Sequence, residues 1–185
     1  THQHSCITLK GFDQTIDATA KIIRAEEWRI SGQWLLHVCC DLRQCYPHTL
    51  DRHRRHLLAV SDGTLVILDE LCGSNARRIG AKGHLQLNAP ARTTADSTLE
   101  IPDLGCRAQA LTSAVFECQD ASTNRDKTLY PVCYSPPFDQ PEVLFAVSLS
   151  QGTEVSLEQA NSEVMNFSIG PIQVALDLAT AVEGT

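Results

Sequence analysis

Along most of the chain, apolar and polar positions alternate in short runs cut by Gly, Pro, Asn and Asp. Period-two alternation puts successive side chains on opposite faces of a strand. In the first half it predicts strands at 5–10, 33–40, 64–71 and 84–88. The run Trp34-Leu35-Leu36-His37-Val38-Cys39-Cys40 is apolar on both faces and predicts an interior strand. Two stretches read as helices. Residues 18–28 are rich in Ala, Lys and Glu behind Asp17 as N-cap, with Ile16, Ala20 and Ile23 on one face. Residues 50–60 follow Thr49 as cap, with Leu50, Leu57 and Leu58 inward and Arg52, Arg54 and Arg55 outward. Ser31-Gly32 ends the first helix, and Ser61-Asp62-Gly63 is a turn. After the small-residue segment 89–97 the pattern is strand upon strand, at 98–101, 111–118, 128–134, 143–150, 154–157, 164–169 and 172–178. Pro136-Pro137 and Pro141 stiffen one connection. The predicted fold class is α+β: an antiparallel β-sheet with two helices in the N-terminal half. It forms a single domain over 1–185, and any subdomain boundary falls near 89–97.

Composition adds a covalent expectation. The 185 residues are 43% hydrophobic, enough for a real core, and no apolar run reaches the length of a membrane span. The eight cysteines, Cys6, Cys39, Cys40, Cys45, Cys72, Cys106, Cys118 and Cys133, are even in number and contain no Cys-x-x-Cys pair. Their spacing favours disulfides over zinc, with 105 pairings open. Oxidised cysteines and a chain that starts at Thr1 predict a secreted, extracellular protein whose leader has been removed. On a strand, adjacent Cys39 and Cys40 point oppositely and would bond different partners, making 39–45 a covalent hub. Asn166-Phe167-Ser168 is the one glycosylation sequon, set within an apolar run.

Charge divides the chain. Through Arg92 there are 12 Lys/Arg against 9 Asp/Glu and all seven histidines; beyond it there are 3 against 13. Either the two halves attract each other, or a basic face for an anionic partner stands beside an acidic region. Asp51-Arg52-His53-Arg54-Arg55-His56 is the most conspicuous polar run, and guanidinium forks bind carboxylate, phosphate or sulfate bidentately. Arg52, Arg54, Arg55 and His56, with the loop residues Arg77, Arg78 and Lys82, are the candidate partner-binding surface. Nucleic acid is not expected, because the chain is acidic and no aromatics interleave with this run. His53 and His56 at i, i+3 could share a metal, but no third ligand is indicated; His2 and His4 near the start could take copper or nickel adventitiously. No cofactor or metal is expected. No nucleophile elbow, phosphate loop or HExxH occurs. His37 beside Cys39 invites a Cys–His nucleophile, but it reads as a buried histidine beside an oxidised cysteine. An enzyme is not the expectation.

Two resemblances bear on function. Leu50-Asp51, Leu57 and Ser61-Asp62-Gly63-Thr64-Leu65, then Asp103-Leu104-Gly105-Cys106, Leu111 and Glu117-Cys118, resemble the cyanovirin-N homology module, over about a quarter of the chain. That resemblance implies a mannose-binding lectin of two β-rich repeats, a Cys106–Cys118 bridge and a glycan site at Asp103, Glu117, Gln119 and Asp120. The chain departs from the family around His53 and Ala59, where its asparagines are missing, and in the spacing from Asp51 to Asp62. The even cysteines, the compact pattern and the lack of catalytic motifs resemble the small secreted cysteine-rich effectors of plant-pathogenic fungi. This second resemblance implies a virulence-type binding protein that acts on a host or extracellular protein by contact. The leading expectation is therefore a secreted, disulfide-stabilised, effector-like binding protein. A glycan-binding lectin is the second expectation, and a secreted hydrolase with an unrecognised site is the third.

Overall fold

The computed structural model describes residues 6–10, 14–15, 18–73, 80–95, 97–112, 114–124, 127–135, 142–160 and 164–178. His2, His4, Ile16, Asp17, Arg77, Arg78 and the prolines at 136, 137 and 141 lie outside them. The regular elements of the described residues are all strands, apart from two short 3-10 turns at Arg43–Cys45 and Pro102–Leu104. In order the strands are β1 (Ile7–Thr8), β2 (Lys21–Ile30), β3 (Gln33–Asp41), β4 (Arg52–Val60), β5 (Leu65–Cys72), β6 (Lys82–Leu87), β7 (Arg92–Ala95) and β8 (Thr98–Ile101). There follow β9 (Cys106–Ala110), β10 (Val115–Cys118), β11 (Ser122–Asn124), β12 (Lys127–Ser135), β13 (Glu142–Ser150), β14 (Val155–Ala160), β15 (Val164–Ile169) and β16 (Ile172–Asp177).

The expectation of α+β with two helices is corrected: both predicted helices are strands. Most of the stretch 18–28, from Lys21 on, falls in β2, which pairs antiparallel with β3 through a two-residue turn. Ser31 and Gly32 both take positive φ, 51° and 81°, the hairpin conformation whose twist matches that of the flanking strands. The pair expected to end a helix closes a hairpin. The stretch 50–60 supplies β4, paired on one side with β3 and on the other with β5. Its buried positions hold His and Arg, which hid the alternation. At the β4–β5 turn, Asp62 Oδ1 accepts the Thr64 N–H at 2.8 Å and Gly63 takes φ 88°.

Strands β2-β3-β4-β5-β13-β9-β8-β7 form an eight-stranded sheet that draws on both sides of segment 89–97. A five-stranded sheet, β1-β6-β12-β10 with β11 on β12, packs on one face through Ile67, Leu71, Val147, Leu85, Val132 and Phe116. A three-stranded sheet, β14-β15-β16, packs on the other through Leu58, Val66, Leu68, Phe167, Ile169 and Val174. Asn166 of the sequon sits on β15, the middle strand of that sheet. Gly83 of β6 is required: a Cβ there would stand 2.0 Å from the Tyr134 ring on the neighbouring strand. Among the described residues no helix is long and apolar enough to cross a membrane.

The disulfide expectation is also corrected, and with it the reading of a cysteine-rich, bridge-stabilised chain. All eight cysteines are free thiols, so the implied Cys106–Cys118 bridge is absent and the 39–45 hub is not covalent. Cys106 Sγ donates to Leu104 O at 3.3 Å, while Cys118 Sγ lies 3.6 Å from Thr93 Oγ1. Two packed cores hold the fold, and cysteine serves in them as a small, weakly polar side chain.

Candidate functional site: a sealed charge network and an exposed hairpin face

Strand β4 directs its basic residues to both faces of the eight-stranded sheet, where two consecutive acids of β5 meet them. On one face Arg55 binds Asp69 bidentately, Nε to Oδ1 at 2.8 Å and Nη2 to Oδ2 at 2.9 Å. His53 Nε2 stands 3.7 Å from Asp69 Oδ1, and its ring lies against Tyr46 at 6.2 Å. Burial alone pushes the Asp69 carboxyl up; the Arg55 guanidinium and the neighbouring His53 more than reverse this and hold it below the usual carboxylate range. Burial likewise disfavours the Arg55 cation, and Asp69 reverses that, raising the Arg55 pKa.

On the opposite face His56 sits between Glu70 and His37. His56 Nε2 stands 2.5 Å from Glu70 Oε1, and its Nδ1 is hydrogen-bonded to His37 Nε2 at 3.0 Å. The His37 ring stacks on His56 at 5.3 Å and 9° and on Trp28 at 6.0 Å and 18°. Burial, then the proximity of His56, pushes His37 down to about 4. Cys39 Sγ lies 3.7 Å from His56 Nε2, and burial with Glu70 nearby pushes this thiol up to about 12, so it is an inert thiol. Arg52 Nε pairs with Glu70 Oε2 at 3.3 Å, and Arg54 Nη1 donates to the Leu178 carbonyl at 2.9 Å.

Of the predicted partner-binding residues, then, Arg54, Arg55 and His56 direct their polar groups to internal partners, and Arg52 is partly covered. Lys82 is exposed on β6, at a distance in sequence and in a different sheet. His53 and His56 face opposite ways because three residues along a strand is an odd step, so they cannot share a metal. Among the described residues no three His, Cys, Asp or Glu side chains gather as metal ligands. The candidate glycan residues divide likewise. Asp103 is in the turn before β9 of the eight-stranded sheet, whereas Glu117, Gln119 and Asp120 run along and past β10 of the five-stranded sheet. Gln119 Nε2 donates to Cys133 Sγ at 3.0 Å, and that thiol lies 3.2 Å from His84 Nδ1.

The sequence reading missed the outer face of the β2–β3 hairpin. Leu35, His37 and Cys39 point into the core, so Trp34 and Leu36 point out, 42% and 37% exposed. Register places Arg29 opposite Trp34 and Glu27 opposite Leu36, both charged residues exposed. Ile22, 64% exposed, lies on the same hairpin. The signal was present in the alternation of 33–40, where Trp34 falls out of phase with the inward residues. A second feature, an open cleft lined by Arg43, Gln44, Pro47, Leu50 and Asp51, lies beside the first 3-10 turn.

No family model matches this chain, and no curated protein matches it. Solved structures do. The heparan sulfate lyase HepC from Pedobacter heparinus is similar over 96% of this chain, with a TM-score of 0.61 and 15% identity. A mutant of that lyase gives 0.60 and 17%. A heparinase III, the BT4657 gene product, gives 0.64 and 14% over 95% of this chain. This chain spans 30% of the length of each. The neighbours are polysaccharide lyases, and at these identities what the likeness establishes is a shared β-sheet fold.

Proposed function

We propose that this chain is a β-sheet module of a protein that acts on acidic polysaccharide, and that it holds the glycan rather than cleaving it. The observation that carries the reading is the likeness, over 95–96% of the chain, to one portion of lyases named for heparan sulfate and heparin. The sealed histidines support binding over catalysis. A general base must come within hydrogen-bond reach of its substrate; of the five histidines among the described residues, His37, His53, His56 and His84 are buried and His48 is exposed. The test is affinity electrophoresis of the chain through gels containing heparan sulfate, another uronic-acid polysaccharide, or neutral dextran. Retardation by the acidic glycans and not by dextran is expected; free migration through all of them overturns the reading. Shortening of the glycan on incubation with the chain alone would replace the binding role by a catalytic one.

A further inference from the structure

We infer that Trp34 and Arg29 form a sugar subsite on the outer face of the β2–β3 hairpin, selective for a glycan that alternates acidic and neutral residues. The inference rests on the acidic-polysaccharide reading above.

The chain has two tryptophans, and the hairpin carries both. Trp28 packs on His37 toward the core, while Trp34 presents its ring to solvent. Indole combines a broad apolar face with low conformational freedom, a good platform for the C–H face of a pyranose ring. Beside it stands a charged group suited to an anionic sugar. Arg29 is the direct cross-strand partner of Trp34, close enough for both side chains to touch one ligand. Arg29 has no ion-pair partner among the described residues, whereas Arg24, on the opposite face of the same strand, is paired to Glu26 at 2.8 Å. A free guanidinium fork matches carboxylate or sulfate.

Two positions back along the strand, about 7 Å away, the pair is Glu27 opposite Leu36. Glu27 repels a second anionic group there, and as an acceptor it suits sugar hydroxyls. The face thus reads aromatic and cation at the tip, then apolar and acceptor. That order fits an acidic sugar followed by a neutral one, as in a uronic acid–hexosamine repeat. The two-residue turn fixes the register of these pairs, so the platform is preformed.

The probe is an unsulfated hexasaccharide of alternating uronic acid and N-acetylhexosamine, titrated against the whole chain by tryptophan emission and by calorimetry. The parent chain is expected to bind with a change in emission. W34A, at an exposed position and checked by circular dichroism for an unchanged fold, should bind about tenfold more weakly, while W34F retains most of the affinity. R29Q should lose the preference for the acidic hexasaccharide over a neutral one, and R29K should keep part of it. If the parent binds and W34A and R29Q bind equally well, this subsite is overturned while the module reading stands. If the parent binds no acidic glycan, the module reading itself fails. If the chain dimerises in sedimentation, and W34A abolishes the dimer without altering glycan binding, the face is a self-contact and the subsite is overturned.

Discussion

At the scale of single residues, the largest energies sit in the pairs between β4 and β5. Asp69 is fully buried against Arg55, and taking the carboxylate away leaves a guanidinium without a counter-charge in the core. D69N should therefore cost about 3–5 kcal/mol, read as a fall in the urea midpoint at unchanged slope. The joint replacement R55M/D69L should cost much less, since it removes both charges and fills the space. His37 adds a pH dependence. Its folded pKa is about 4 against an ordinary 6.5, so the unfolded chain takes up a proton that the folded chain refuses. Stability from this group is complete above 6.5 and falls as the pH drops toward 4, by about 1.4 kcal/mol per unit. Asp69, with its depressed pKa, loses its contribution only below the ordinary carboxylate range. Urea midpoints taken across pH 4 to 7 should slope in the parent and flatten in H37Q; equal slopes would remove His37 as the cause.

At the scale of elements, the strands with apolar alternation were legible and the two strands with charged alternation were not. β3 and β5 could be read because Leu35, Val66 and Leu68 mark one face. β4 could not, because His53, Arg54 and His56 occupy inward positions, and a charge is ordinarily taken to face water. A signal did exist: Asp69 and Glu70 are consecutive acids inside an apolar strand, and buried acids demand basic partners. The run 52–56 can supply them. β2 failed differently. It is an edge strand, half exposed, so Ala25, Glu26 and Glu27 match helix propensity while the hairpin pairing decides the outcome. The hairpin turn can be tested directly. Ser31 is the described non-glycine residue at positive φ, and Asn tolerates that conformation better. S31N should raise the unfolding midpoint slightly. G32V, at φ 81°, should lower it by about 1–2 kcal/mol. The candidate site followed the same divide: Trp34 and Arg29 were each visible, but their pairing depends on a register that a helical reading of 18–28 conceals.

At the scale of the whole molecule, cohesion comes from sheets shared between the two halves rather than from covalent bridges. With eight free thiols, thiol titration of the denatured, unreduced chain should count eight, and added reductant should leave the melting temperature unchanged; a lower count would restore bridges. The ion pairs Arg24–Glu26, Arg52–Glu70 and Arg55–Asp69 lie within the first half, and Arg92–Glu100 spans the change of sign.

What joins the halves is backbone pairing. β5 meets β13 over eight residue pairs, β6 meets β12 over five, and β5 is buried over most of its length. Cutting near 96 would leave β5 and β6 as unpaired edges, remove one cover layer of the central sheet and leave only β1 and β6 of the other, since β10–β12 and β14–β16 lie beyond the cut. A fragment of residues 1–95 should therefore show no cooperative thermal transition and should aggregate. Co-expression with residues 97–185 should restore a soluble complex that melts in one step, because the pairing is regained even though the chain is cut. A fragment 1–95 that folds alone with a sharp transition would show the first half to be an independent domain, with the cross-half pairings as an interface between two units.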